Sequence, residues 1–358
     1  MSSPSFRLLQ LPQVVLRELL NILDLNELFI FSLCSRRANR YVKVYYNRFL
    51  KWKMCVVGCG SRPVFRFKKQ GTTDTIVVIK KSSELQGTEN VTIGGHTVPF
   101  VKTLRSCELL WDNRRVGFKI VFDYICELFS LVPHSFMIAP PLLWLLQIAN
   151  NIVTYVAVTP IVSKGPYYRD LPLSEEECLE ALTAKINSPY FEFNCDFPED
   201  FSYNGSFGNH DYIYITDGLW TTVENLVSIG ETCTDVFIRE SKLTCTDINS
   251  FLKIWLNQKA NALRSLVIKC ENINEDVIFN GLEDKMITVE GKMVYEKKID
   301  SLEFPPGLKV LCRKDGMIAA AAIHPIGLCI CIWTDIGSIR ENETGTWKLL
   351  PINNPPNP

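Results

Sequence analysis

Residues 6–45 read FRLLQLPQVVLRELLNILDLNELFIFSLCSRRANRYVKVY, and this run constrains the chain more than any other. Three short helices fit it. Leu11-Pro12 opens the first, because proline arrives with a helical φ and lacks only an amide hydrogen that a helix start leaves unpaired. Val15, Leu16, Leu19, Leu20 and Leu23 recur at helical spacing, while Val14 and Ile22 put apolar surface on the opposite side. Such a helix has two faces to cover. Asp24 and Asn26 punctuate, with Asn26 expected as the N-cap of a second helix from Glu27 to Leu33. Cys34 and Ser35 lead into a third, basic helix carrying Arg36, Arg37, Arg40 and Lys43. Below roughly 40 residues a unit rarely buries its own surface without metal, disulfides or association. The run contains no metal-ligand pattern, so association is the physical solution.

The rest of the chain reads as a globular α/β protein. Its 358 residues leave room for two or three domains. The net charge of −1 conceals an asymmetry: residues 1–73 hold 13 Lys/Arg against 3 Asp/Glu, and the remainder holds 25 against 36. The basic front can complement the acidic remainder or an acidic partner, or serve a nucleic acid. No nucleic-acid-binding motif accompanies it. The opening MSSPSFRLLQLPQ has no apolar signal core, so the 13 cysteines are expected as thiols in a reducing compartment, cytoplasmic or nuclear. Cys55 and Cys59 lack a second ligand pair, and no zinc site is expected.

Between residues 54 and 110, short apolar runs at Val64–Phe67, Thr75–Ile79, Val91–Ile93 and Val98–Val101 predict antiparallel strands, the last two joined at Gly94-Gly95-His96. Gly58-Cys59-Gly60 reads as a turn. A helix is predicted over Lys119–Leu131. The uncharged stretch 128–163 includes residues 141–162, long enough for a membrane span. Pro140-Pro141 and Asn150-Asn151 instead predict a buried helix of some ten residues, followed by a strand over Ile152–Val158.

Ser174 and Glu177 form a capping-box pattern, with Leu179, Leu182 and Ile186 expected on the inner face of the helix that follows. Tyr190–Phe193 predicts a strand and Asp196–Asp211 a long exposed loop. A weak repeat comes next: Ile213-x-Ile215 with Trp220, Val236-x-Ile238 with Leu243, and Leu266-x-Ile268 with Ile273, spaced by 23 and 30 residues. Each copy predicts strand, turn and helix, stacked as parallel β-α-β units like those of a leucine-rich-repeat solenoid. Ile248, Phe251, Leu252, Trp255 and Leu256 form one helical stripe that belongs to the core.

Two resemblances sit on these motifs. The order L-P-x-x-V-L-x-x-L-L-x-x-L-D-x-x-E-L followed by F-S-L-C-S-R-R resembles an F-box, the helical module that docks substrate receptors on the adaptor of SCF (cullin-RING) ubiquitin ligases. Leu11, Pro12, Val15, Leu19, Leu20, Leu23, Leu28, Leu33, Cys34 and Arg36 occupy the positions of that pattern, which implies that they bind the adaptor. The run Tyr214–Glu283, above all F-L-x-x-W at Phe251–Trp255, is similar to the type-2 F-box-associated domain of the large nematode F-box family. R-K-D-G-M-I-A-A at Arg313–Ala320 and I-C-I-W at Ile330–Trp333 resemble its closing hairpin, with Asp315-Gly316 as the turn.

The expected organisation is an F-box over 5–50, a mixed α/β region over 54–210, the F-box-associated domain over 211–285, a closing β-hairpin region over 286–350 and a disordered tail over 351–358. The four histidines, His96, His134, His210 and His324, fall in no catalytic signature, so neither catalytic residues nor cofactor is expected. The resemblances imply a receptor subunit whose partners are the SCF adaptor, cullin through it, and a protein substrate of unknown identity. Nucleic acid and membrane are not expected partners. A scaffold bound to the adaptor outside any ligase, a nucleic-acid-binding protein using the basic front, and a membrane-anchored form using residues 141–162 remain as alternatives.

Overall fold

The structure is a computed structural model that describes residues 8–45, 52–58, 63–69, 72–82, 89–104, 106–148, 153–159, 173–184, 186–270, 272–289, 293–296, 301–304, 307–325, 327–333, 339–342 and 345–348. The chain divides into two compact units, Met1–Arg169 and Asp170–Pro358. The turn at Gly58-Cys59-Gly60, the helix stop at Asn150-Asn151 and the tail over 351–358 lie at least partly outside the described residues.

The first unit opens with the three expected helices, α1 (Gln13–Ile22), α2 (Leu25–Leu33) and α3 (Arg36–Tyr45), after a single 3-10 turn at Leu8–Gln10. Pro12 precedes the first helical residue, with φ −52° and its carbonyl accepting from the Leu16 amide at 3.0 Å. The cap of α2 is Asp24 rather than Asn26. Its carboxylate accepts from the Glu27 amide at 2.7 Å, and the Glu27 carboxylate accepts from the Asp24 amide at 3.1 Å. An aspartate with glutamate three residues on satisfies two helix-start amides at once, which Asn26 with Phe29 in the same relation could not do.

The sheet of this unit is built from β1 (Lys53–Val57), β2 (Val64–Lys69), β3 (Thr72–Lys81), β4 (Glu89–Ile93), β5 (His96–Lys102), β6 (Cys107–Trp111), β7 (Pro133–Ile138) and β8 (Tyr155–Val158). The strands lie in the order β8-β7-β1-β2-β3-β6-β5-β4. The predicted antiparallel pairs form, and Gly94 and Gly95, both at positive φ, make the two-residue turn between β4 and β5. Sequence alternation did not reveal that β3 pairs β6, and β1 pairs β7, in parallel. Helix α4 (Arg114–Phe129), capped by the Asn113 side chain, packs its aromatic face on the sheet: Phe118 stacks on Phe65 at 4.7 Å and Phe129 meets Phe67 edge-on at 5.9 Å. Pro140–Gln147 is a 3-10 helix and not an α-helix, with Leu142, Leu143, Leu145 and Leu146 buried. Among the described residues no helix is long and apolar enough to cross a membrane.

In the second unit, α5 (Glu175–Thr183) carries the expected Ser174–Glu177 capping box and buries Cys178, Ala181 and Leu182. Leu179, expected on the inner face, is exposed; Ala181 takes the inner position next to Leu182. Four parallel strands follow, β9 (Tyr190–Phe193), β10 (His210–Gly218), β11 (Cys233–Ser241) and β12 (Ser265–Ile268), linked beyond β10 by α6 (Val223–Thr232) and α7 (Cys245–Leu256). The predicted repeat is in register across them. Phe191, Ile213, Val236 and Leu266 stand side by side, as do Phe193, Ile215, Ile238 and Ile268, and all eight are buried. Each column removes a row of branched or aromatic side chains from water, at about 1.5–3 kcal/mol per side chain. The repeat therefore marks one continuous core.

A short helix α8 (Glu275–Ile278) leads to β13 (Met286–Val289), and the hairpin of β14 (Met293–Glu296) and β15 (Ser301–Phe304) follows. The main sheet resumes with β16 (Leu308–Cys312), β17 (Ile318–His324) and β18 (Gly327–Trp333), in the order β13-β16-β17-β18-β12-β11-β10-β9. Asp315-Gly316 lies between β16 and β17 in a five-residue connection, since Cys312 pairs with Ile318. The segment Asp196–Asp211 is not an open loop: its final residues begin β10, and Phe197, Phe201, Tyr203 and Phe207 pack around Trp220 with ring centroids 5.1–6.4 Å away. Exposure there is confined to polar and charged residues, among them Glu199, Asp200, Ser202 and Asn204.

Candidate functional site

The first helices form a layer with one face inward and one outward. Leu16 and Leu20 of α1, Leu25, Leu28 and Phe29 of α2, and Ala38 and Val42 of α3 are buried. On the outside of α1, Val14 is 64%, Val15 47% and Ile22 82% exposed. Pro12, Cys34 and Arg36 are exposed as well, and Leu11, Leu19, Leu23 and Leu33 are half-buried. Of the ten pattern residues, Leu20 and Leu28 therefore lie inside the module and hold the helices together. Val14 and Ile22, which the pattern does not name, are the two most exposed apolar side chains of α1. Their signal was the doubled apolar face of α1.

The inward side is covered by the chain itself. Tyr124, on α4, meets Phe29 edge-on at 5.8 Å. Its hydroxyl lies 2.8 Å from Ser32 Oγ and accepts from Asn39 Nδ2 at 2.9 Å. Because the Ser32 hydroxyl donates to the Phe29 carbonyl at 2.6 Å, its single proton is spent, and Tyr124 must be the donor to Ser32. Burial pushes the Tyr124 phenol above its ordinary value, which keeps it protonated for that role. Lys43 on α3 also pairs with Glu127 on α4 at 2.5 Å. The association demanded by so small a helical unit is thus half intramolecular. The outer face of α1 is what the chain leaves uncovered.

Beside the turn between α2 and α3 runs a groove of about 890 Å³. Leu33, Cys34 and Arg36 form one wall, and Val91 and Thr92 of β4 contribute to the other. Nothing in the first forty residues could have pointed to β4. Among the described residues no group of three or more His, Cys, Asp or Glu could hold a metal ion.

Comparison with known proteins bears on both units. The family model described as "F-box domain" matches residues 8–49, the helices α1 to α3 and a few residues beyond, and the model described as "F-box associated" (FBA_2) matches residues 206–268. The chain carries both modules. A similar protein is the "Skn-1 dependent zygotic transcript 15 protein" of Caenorhabditis elegans, 23% identical over 300 residues that span 78% of this chain and 84% of that one. No solved structure matches. The F-box associated match covers β10 to β12 with α6 and α7, so the β10–β12 part of the in-register columns and the Phe251–Trp255 stripe fall within that domain, while β9 lies outside it.

Proposed function

We propose that this protein is the substrate-recognition subunit of an SCF ubiquitin ligase, docking on the adaptor through the outer face of its F-box and holding a target protein with its second unit. The observation that carries this reading is the exposed row Val14, Val15 and Ile22 on a helix whose opposite side is already packed against its own chain. An apolar row of this kind, inside a matched F-box domain, is a surface in want of a partner. The F-box associated domain carried by the same chain supports a receptor role. No chemical step belongs to the chain itself: the ligase gains rate by holding the target near the activated ubiquitin.

The reading is tested by capture of the adaptor on immobilised full-length protein, wild type against a Leu11→Ala, Pro12→Ala double variant whose circular dichroism is unchanged. Loss of capture in the double variant, with cullin co-purifying on the wild type, is expected. Undiminished capture by the folded variant rejects the assigned surface, and no capture by wild type rejects the function.

A further inference from the structure

The second unit carries a groove of about 310 Å³, within the range of volumes that hold ligand groups. It lies where β9, β10 and β11 end, outside the carboxyl ends of parallel strands, the place where open α/β sheets gather their ligand-binding loops. Phe197 and Trp220 contribute to its lining, 5.1 Å apart. Asp217 holds both in place: its carboxylate accepts from the Phe197 amide at 2.9 Å and the Leu219 amide at 3.2 Å, and its carbonyl accepts from the Trp220 indole Nε1 at 3.0 Å. The groove is therefore built on rigid groups.

Its lining is unlike the rest of the scaffold. Leu219 is 42% exposed, an aliphatic side chain standing at the lip. Glu199 and Asp200, also exposed, line the groove and make no ion pair among the described residues. Lys242 is the one basic group among the lining residues. Helices α6 and α7 begin at this same edge, where the Thr222–Asn225 and Thr244–Asp247 capping boxes take up the N-cap and N3 amides of each. With Glu199, Asp200 and Asp217 set against Lys242 alone, the lining carries more negative than positive charge, and the unpaired carboxylates set the sign of the site.

We propose that this groove is the target-binding surface of the protein, and that its occupant is an extended peptide segment carrying an arginine or lysine beside an aliphatic residue. The basic group reaches Glu199 and Asp200, and the aliphatic neighbour covers Leu219 against the Phe197–Trp220 floor. The proposal rests on the receptor reading above for its biological sense, though not for its test.

Immobilised synthetic decapeptides with a central Arg-Leu, Lys-Leu, Gln-Leu or Glu-Leu in a Gly/Ser background are probed with the full-length chain. Arg-Leu and Lys-Leu peptides are expected to bind on the order of tenfold more tightly than the Gln-Leu peptide, as a charge-assisted contact implies, with Glu-Leu weaker still. A Glu199→Gln, Asp200→Asn double variant is expected to lose that preference, and Lys242→Glu to enhance it. Glu180→Gln, on the exposed face of α5, is expected to leave it unchanged. Binding indifferent to the central residue, a preference that survives the double variant, or no binding above the Gly/Ser background overturns the proposal. A chain that captures the adaptor but shows no peptide preference rejects the groove alone; failure of adaptor capture rejects the receptor reading alone.

Discussion

The Tyr124 hydroxyl donates to Ser32 Oγ across 2.8 Å, tying α4 to a helix 92 residues earlier in the chain. Through Asn39, Tyr124, Ser32 and the Phe29 carbonyl, one run of hydrogen bonds joins α3, α4 and α2. The F-box helices are thus held by a group far outside the F-box itself, and the exposed face of α1 is carried on a fixed base.

Tyr124→Phe keeps the ring against Phe29 and removes only the hydroxyl. Leaving Asn39 and Ser32 short of a partner is expected to cost about 1–3 kcal/mol. Hydrogen exchange should quicken in α2 and α3 while the strands β9 to β12 are unaffected. The pH response follows from the raised phenol: folding favours the neutral form, so the contribution is complete below the ordinary value of 10.0 and is lost as pH climbs through the higher folded value. The Phe variant should lose that alkaline slope.

Ile22→Glu tests the opposite face of the same module. At 82% exposure the side chain contributes little to the fold, and stability is expected to change by no more than about 0.5 kcal/mol. Adaptor capture should nevertheless fail. A drop in both would mean that Ile22 packs within the chain.

Lys80 and Glu108 form a pair across the parallel strands β3 and β6, 2.6 Å apart and with both side chains largely buried. Removing one partner strands a charge, so Lys80→Met is expected to destabilise by about 3–5 kcal/mol, read as the shift of the urea midpoint. Adding Glu108→Leu should recover most of the loss. If the double variant is as unstable as the single one, the pair is not the source.

Arg313 anchors the connection between β16 and β17. It donates to both carboxylate oxygens of Asp315 at 2.8 and 2.6 Å and to Asn261 Oδ1 at 2.9 Å, with its guanidinium 5.1 Å from the centre of the Trp255 ring. A lysine has neither the fork nor the flat face for these contacts. Arg313→Lys is expected to cost about 2–4 kcal/mol, and Asp315→Asn, at a partly exposed position, distinctly less. Thermal melting of the two variants checks the order.

His210 is buried against Phe191, its Nδ1 donating to the Ser188 carbonyl at 2.7 Å. Burial holds its folded value below the ordinary 6.5, so the unfolded chain takes up a proton that the folded chain refuses. Stability is therefore whole above pH 6.5 and falls as pH drops through the window down to the folded value. His210→Phe should flatten that acid slope in a stability profile between pH 7 and pH 5.

The local elements were legible in the chain because their causes are local. Leu-Pro with a leucine period specifies α1, Gly94-Gly95 specifies a hairpin, and the spaced pairs Ile213/Ile215, Val236/Ile238 and Leu266/Ile268 specify strands that meet in register. Even the exposed apolar face of α1 was foreshadowed by a helix with too much apolar surface for one side to hide. What only the tertiary structure decided is which apolar surface the chain covers for itself. Leu20 and Leu28 turn inward, and Phe29 and Ser32 are claimed by Tyr124. The stretch 196–211, rich in polar residues, is drawn shut around Trp220 by its aromatic side chains. Burial is a property of pairs of surfaces, and the partners of these residues lie between about 13 and 95 positions away in sequence. No periodicity within a helix or a loop encodes a partner at that distance.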